Sequence, residues 1–344
     1  MSTEAIFSYR GSQPKLGGNL SGLPQLFSLL QDRDVIPLIS LEGEQAFQEE
    51  GINVHEMRVD ASIVAAEGLL QYGQAGTLIN RLNRTLDYDR LPPSVELPSM
   101  INENASRDIT NEKHAVYERV LRPFNIGIAT MLLTPDVDVG QFIDENMSEF
   151  YMLKPNRGSG GKGLETIARD DLLRIEAAGF DGSMIIQPMY DFTGRLPAGL
   201  KQYDAASTDL FEDVKGSSAS KELRVYGFHN AERTDVFAVG RAITEGTDDW
   251  FFIDPDTVEP DVFLKTQEAI RHTAHLTGAL KMYGALDFGY GGLAGDENKW
   301  HAIELNSKQP YLIGYDKHAG VAHRLRSLFA DQISSPIAEE NLKA

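Results

Sequence analysis

Phe150-Tyr151-Met152-Leu153-Lys154-Pro155-Asn156-Arg157-Gly158-Ser159-Gly160-Gly161-Lys162-Gly163-Leu164-Glu165-Thr166-Ile167 is the stretch on which the fold turns. Phe150 to Leu153 is an apolar run of strand length, and Leu164 to Ile167 looks extended again. The loop between them holds Gly158, Gly160, Gly161 and Gly163, where backbone N–H groups can turn sharply and approach phosphate oxygens. A Walker A loop needs Gly-Lys followed by Ser or Thr, and here Lys162 is followed by Gly163. Gly158, Gly160 and Gly163 keep the dinucleotide spacing, but that fingerprint needs a helix opening directly from the loop. Strand-like Leu164 to Ile167 intervenes, so the loop reads as a flap joining two antiparallel strands over phosphate groups. A hairpin with no ligand stays open as the alternative, because short glycine motifs are weak signals. Lys154, at the end of the first strand, can reach an α- or β-phosphate as a point charge, unless it simply faces water.

Upstream, Ile109, Lys113, Val116, Tyr117 and Val120 fall on one helical face, which predicts a helix from Ile109 to Leu121 with Ser106 or Asp108 as its cap. Residues 1–98 read as an α/β unit. Ile6 to Tyr9 and Val35 to Ile39 are strand candidates, a Gly-rich turn covers Gly17 to Gly22, and Leu23 to Leu30 has helical spacing. Thr77 to Leu86 is expected to be a helix or the end of a strand-helix unit. Leu91-Pro92-Pro93 and Leu97-Pro98 break regular structure and mark a boundary. Downstream, a helix is expected from Asp170 to Ala178 and a strand over Met184 to Gln187, ended by Pro188. Residues 191–220 are polar and read as a long loop or insertion. Leu223 to Phe228 and Val236 to Ile243 are expected strands, Asp261 to Thr277 a helix, and Tyr283 to Tyr290 and Trp300 to Leu305 strands about a Gly/Asp turn.

That last hairpin carries Asp287, Glu304 and Asn306. Strand side chains alternate, so Glu304 and Asn306 share a face. With the turn centred on Gly295-Asp296, Asp287 falls opposite Glu304. Two facing carboxylates are unfavourable without a cation. With an amide oxygen they form an all-oxygen cluster suited to Mg²⁺, which also takes phosphate oxygens and water. A pair of solvent-facing acids on a sheet edge is the other reading.

The 344-residue chain has 32 Lys and Arg against 51 Asp and Glu, a formal charge of −19. Such a surface repels nucleic-acid phosphates, so no nucleic-acid partner is expected. The absence of cysteine excludes disulfides, thiolate catalysis and Cys-based zinc sites. No apolar run is long enough to cross a bilayer, so no membrane partner is expected. Met1 to Ala5 lacks the basic-then-apolar order of a secretion signal, and a cytoplasmic location follows as an expectation.

Taken in order, these residues resemble the ATP-grasp superfamily, nearest in pattern to the glutathione synthetase-like and ribosomal-protein-S6-modification-like carboxylate-amine ligases. The pattern runs from about Asn102 to Pro310: helix lysine, strand lysine, glycine flap, hinge strand, strand arginine, then Asp and Glu-x-Asn. The resemblance implies an α/β (α+β) ATP-grasp fold. Residues 1–98 would form an N-terminal α/β domain, 99–186 a central subdomain with the flap, and 187–335 a C-terminal subdomain with the metal site. It implies that Lys113 and Lys154 contact ATP and that Arg157, Gly158, Ser159, Gly160, Gly161, Lys162 and Gly163 form the flap. Gln187, Pro188 and Met189 would be the hinge whose backbone reads the adenine edge. Arg224 and Arg241 resemble the arginines that hold the acyl phosphate and substrate. Asp287, Glu304 and Asn306 resemble the ligands of two Mg²⁺ ions, with Mn²⁺ as an alternative. Each arginine could instead serve an internal ion pair. The sequence departs from the family pattern at Gln187, where many relatives carry an acid, and at Ile126 to Thr130, which lacks Pro-x-Thr. Asp191 is the candidate for the ribose contact.

The implied activity is ATP-dependent ligation: a carboxylate takes the γ-phosphoryl group and an amine then displaces phosphate from the acyl carbon, forming an amide or peptide bond. Small-molecule or peptide acids and amines are the expected partners, and relatives commonly form homo-oligomers. A kinase acting on a small molecule and a non-catalytic ATP-binding scaffold are the alternatives.

Overall fold

The computed structural model describes residues 3–8, 32–33, 35–40, 58–59, 75–80, 99–101, 109–157, 163–174, 180–192, 196–197, 199–201, 220–230, 233–244, 247–251, 253–279, 281–293 and 296–306, with 323, 326–328, 330–331 and 334 near the C-terminus. The expected Gly17 to Gly22 turn and Leu23 to Leu30 helix lie outside these residues, as do the Ser106 and Asp108 caps.

Five strands come from the N-terminal third: β1 (Thr3–Ser8), β2 (Val35–Ser40), β3 (Arg58–Val59), β4 (Ala75–Asn80) and β5 (Ser99–Ile101). All pair in parallel. The segment that opens at Thr77 begins as strand, since residues 75–80 form β4, and residues 81–86 lie outside the described ones. Thr77, Leu78 and Ile79 are β-branched or apolar and suit a strand between two neighbours.

Next come the helix α1 (Lys113–Val116), a π turn (Tyr117–Leu121) and a 3₁₀ turn (Arg122–Phe124). The expected apolar face is present: Ile109, Val116 and Val120 are buried. The helical path widens at Tyr117 instead of continuing as regular α-helix.

A four-stranded antiparallel sheet follows, in the order β6 (Met131–Leu132), β9 (Met184–Pro188), β7 (Phe150–Pro155), β8 (Glu165–Ala168). Two helices contribute to its core, α2 (Val139–Glu145) and α3 (Arg169–Leu172). Asp138 caps α2, its carboxylate accepting from the Gln141 N–H at 2.9 Å. Ile143, Leu172, Tyr151 and Ile186 pack together on this side. β9 runs across the boundary expected after residue 186 and stops where Pro188 removes an N–H.

The remaining strands are β10 (Ser220–Asn230), β11 (Thr234–Thr244), β12 (Thr247–Phe251), β13 (Lys281–Gly291) and β14 (Lys299–Asn306). They extend the N-terminal sheet, in the order β12-β11-β10-β13-β5-β4-β1-β2-β3, with β14 also on β13. The sheet therefore continues past the boundary expected at residue 98, through the pairing of Lys281 with Ile101. One long helix, α4 (Pro260–Thr277), packs on the C-terminal strands. Proline occupies its first turn, and Gly278 ends it at φ 68°. Leu196 and Leu200, inside the stretch expected to be a polar loop, are buried in the same core. Among the described residues, no helix is long and apolar enough to cross a membrane.

Candidate active site

Strand alternation divides β10 and β13 between two faces. Leu223, Val225, Leu286 and Phe288 join the core shared with α4. Arg224 and Asp287 take the opposite face, directly across the ladder from each other. On β14, Glu304 stands opposite Asp287, as a turn centred on residues 295 and 296 predicts. The route to that register is not legible in the sequence. From Gly291 to Phe288 the hairpin pairs one residue out of step, with Phe288 opposite Ala302. A bulge then leaves Ile303 as the extra residue and advances Glu304 to meet Asp287.

The three charges form a row across three strands. Arg224 grips Asp287 with a two-pronged pair, Nε to Oδ1 at 2.5 Å and Nη2 to Oδ2 at 2.6 Å, and both residues are buried. Burial opposes the Arg224 charge, but the hydrogen bonds and charge of Asp287 outweigh it and raise the guanidinium pKa. Asn306 bridges the two acids: its amide donates to Asp287 Oδ2 at 3.0 Å and to Glu304 Oε1 at 2.9 Å. These donors offset the repulsion that facing carboxylates would otherwise suffer.

Lysines from the smaller sheet and α1 complete the cluster. Tyr151 lies in the core that α2 and α3 share, so Lys154, three residues on, falls on the other face of β7. Lys154 is only 9% exposed. Burial lowers its pKa to about 8, Glu304 opposes the shift, and Lys113 reinforces it. Burial also lowers the pKa of Lys113, again opposed by Glu304. Both lysines and Glu304 thus share one electrostatic neighbourhood. Lys113 Nζ donates to the Pro155 carbonyl at 3.1 Å, its backbone N–H donates to Asn156 O at 2.9 Å, and the His114 N–H reaches Asn156 Oδ1 at 3.0 Å. The end of β7 is therefore seated on the start of α1.

The flap is described at its two ends. Gly158, Ser159, Gly160, Gly161 and Lys162 lie outside the described residues. Leu153 pairs with Glu165 and Tyr151 with Ile167, so the loop does join antiparallel strands. Gly163 sits at φ +73°, where a Cβ would also come within 3.1 Å of Pro155. Arg157 is exposed and ion-paired with Glu112, its Nε donating at 3.0 Å.

At the expected hinge, residues 187–189, two backbone N–H positions are accounted for. Pro188 has no N–H, and the Met189 N–H donates to Phe150 O at 2.9 Å. Neither residue offers a backbone donor to a nucleobase edge. Gln187 is buried, and its amide N–H donates to Thr130 Oγ1 at 2.6 Å. The Thr130 hydroxyl has one proton, which it donates to Ile128 O at 2.8 Å. It can only accept from residue 187, so an amide fits and a carboxylate would not. The Ile126 to Ile128 segment in turn bonds β14: the Ala302 N–H donates to Ile126 O at 2.7 Å. Gln187 thereby ties the smaller sheet to the strand that bears Glu304. Asp191 is exposed, and its backbone N–H bonds Gly292 O at 3.1 Å. Arg241 stands on β11, opposite Glu222 of β10.

Sequence reasoning missed an aromatic group beside the acids. Tyr190 meets His301 edge-on at 4.4 Å and stacks with Phe192 at 6.0 Å. Phe192 covers Gly289, where any Cβ would fall 2.6 Å from its ring. Gly289 lies two residues from Asp287 and so on the same face. Burial holds His301 near pKa 4, hence neutral, and its Nε2 has no hydrogen-bond partner among the described residues. The available signal was Gly289 and Gly291 inside a strand, which marks a close approach.

Among the described residues, no three His, Cys, Asp or Glu side chains gather around a metal position. The donor set here is two carboxylates plus an amide whose oxygen faces them after a half-turn. It fits a hard cation that draws its remaining ligands from phosphate and water.

No family model matches the sequence, and no curated protein does. Solved structures do match. N5-carboxyaminoimidazole synthase from Aspergillus clavatus, in complex with ADP and 5-aminoimidazole ribonucleotide, superposes with a TM-score of 0.58 at 12% identity, covering 99% of this chain and 79% of that one. The VanG D-Ala:D-Ser ligase from Enterococcus faecalis gives 0.57 at 12% identity, covering 97% and 98%. The macrocyclase MdnC from Microcystis aeruginosa MRC, bound with precursor peptide MdnA, gives 0.52 at 12% identity, covering 96% and 99%. Identities this low speak to the backbone alone, and by its backbone the chain has the ATP-grasp fold.

Proposed function

We propose that this protein is an ATP-dependent carboxylate-amine ligase that forms a carbon-nitrogen bond through an acyl phosphate. One observation carries the reading. Lys113 and Lys154 come from one side, Arg224, Asp287, Glu304 and Asn306 from the other, and Glu304 acts on both lysines. Cations and acids so arranged suit a triphosphate with a divalent metal, and the fold is one that ADP and peptide ligands occupy in its neighbours.

In this reading Lys113 and Lys154 bind phosphate oxygens as point charges. Asp287, Glu304 and Asn306 would hold Mg²⁺, and the ion would supply Lewis-acid withdrawal of charge from the phosphate oxygens. The flap that the sequence assigns to residues 158–163 would serve to keep water from the acyl phosphate. Arg224, with Arg241, steadies the carboxylate and then the oxyanion formed when the amine attacks. The phosphate leaves with the bonding electrons, and the amine loses a proton. A cytoplasmic location goes with the reading, since ATP is abundant there.

The test is ADP formation by the full chain with Mg²⁺, ATP and pools of small acids, amines and peptides, with the joined product identified by mass. We expect ADP release that needs both an acid and an amine, trapping as a hydroxamate by hydroxylamine, and loss of turnover in Glu304→Gln. ADP formation that yields a phosphorylated hydroxyl and no hydroxamate would make the protein a kinase instead.

A further inference from the structure

Where β10 turns into β11 beside α4, basic side chains from both meet around a cleft of about 300 Å³. His229 stands near the end of β10 and Arg233 just before β11, while Arg271 and His275 share one stripe of α4. Leu223, Val225 and His229 take alternate positions on the α4 face of β10, so the cleft lies across the sheet from Arg224. His229 forms the floor. It is only 4% exposed, its Nδ1 lies 2.8 Å from the Thr234 hydroxyl oxygen, and its ring meets that of His275 edge-on at 6.2 Å. Asn230 fixes the turn from both sides: its N–H donates to Arg233 O and its side-chain oxygen accepts from the Arg233 N–H, each at 2.9 Å. The arrangement gathers like charge. Burial, His275 and Arg271 together lower the His229 pKa to about 4. Arg233 has Asp235 at 2.9 Å, but Arg271 has no ion-pair partner among the described residues of a chain that carries 51 acids. The helix dipole accounts for His275, in the last turn of α4, and not for the other three.

We propose that this cleft binds a phosphate monoester of a short polyol, its phosphoryl group held by Arg233, Arg271 and His275. The site is separate from the one described above and does not depend on the ligase reading. A phosphoryl dianion offers oxygens in several directions, which suits guanidinium groups that reach it from the turn and from the helix. A carboxylate would be filled by one such fork. Further back along α4 the lining changes to Leu264, Gln267 and Glu268. Glu268 would repel a phosphoryl group, so that group belongs at the Arg271 end. Hydroxyl groups, which can donate to a carboxylate, belong at the other. The cleft is at the low end of small-molecule sites in volume, which keeps the polyol short.

The test is a titration of the full chain with α-glycerophosphate at fixed ionic strength, following the isotope-labelled His275 ring signal by nuclear magnetic resonance. Loss of that signal in His275→Gln assigns it. We expect a saturable shift in wild type and, in Arg271→Gln, an affinity lower by about tenfold. Arg271 is exposed, so this variant keeps the fold. Lys154→Met, which alters the other site, should titrate like wild type. No saturable shift, or one that Arg271→Gln leaves unchanged, overturns the proposal. So does an equal shift with chloride at the same ionic strength, which would reduce the effect to screening. Inorganic phosphate should bind more weakly than α-glycerophosphate, and equal or tighter binding overturns the polyol end of the site.

Discussion

At Lys154 the chain keeps a cation where burial disfavours one. Its pKa falls from the ordinary 10.5 to about 8. Between those values the unfolded chain binds more protons at this side chain than the folded one does. Stability therefore rises with pH across the window, and below about pH 8 the penalty is fully present. Lys154→Met should thus be more stable than wild type at pH 7, with an advantage that shrinks as pH rises from about 8 to 10.5. Urea unfolding at several pH values measures this, and a pH-independent difference would contradict it. The same variant should lose nucleotide binding. On the proposed function, the stability lost at Lys154 is set against the ligand it would bind. Gln187 shows the reverse case, since its hydrogen bond to Thr130 ties two parts of the fold together and marks it as structural. Read as sequence, the two residues look alike, each a polar side chain on an apolar strand.

Helix α4 against β10 and β13 sets the element scale. Gly227 and Gly284 stand opposite each other in the ladder, and Ile270 of α4 rests over both. A Cβ on Gly227 would lie 2.7 Å from Ile270 Cγ1, and one on Gly284 would lie 3.2 Å from Ile270 Cδ1. Side chains there would lift the helix from the sheet. Gly227→Val should destabilise the protein by about 3 kcal/mol, near the top of the usual range for overpacking, visible as a lowered melting temperature. An unchanged melting temperature would mean that α4 can shift without loss. The ends of α4 were legible, since Pro260 and Gly278 are ordinary start and stop residues. The bulge at Ile303 was not, because an extra residue leaves no mark in a run of alternating side chains.

Across the whole molecule, a charge of −19 surrounds the site that the proposed function assigns to a triphosphate. The surface field opposes the approach of nucleotide, while the lysines act only at short range. Raising salt from about 10 to 150 mM shortens the screening length from roughly 30 to 8 Å and should increase the nucleotide association rate. Stopped-flow measurement with a fluorescent ATP analogue checks this, and a rate that falls with salt would show that the local cations govern capture.

The sequence alone determined the order of the elements around the site. Glycines between two apolar strands, a lysine before them and Glu-x-Asn on a later strand are local patterns, set by backbone sterics and alternation. It also placed Asp287 opposite Glu304, because turn position limits register in a hairpin. Only the tertiary structure decided that Arg224 pairs with Asp287, that Gln187 serves Thr130, and that Tyr190 and Phe192 close over Gly289. These contacts join residues far apart in the chain, 63 positions for Arg224 and Asp287 and 57 for Gln187 and Thr130. They depend on how strands and sheets meet in space, and no local periodicity encodes that meeting.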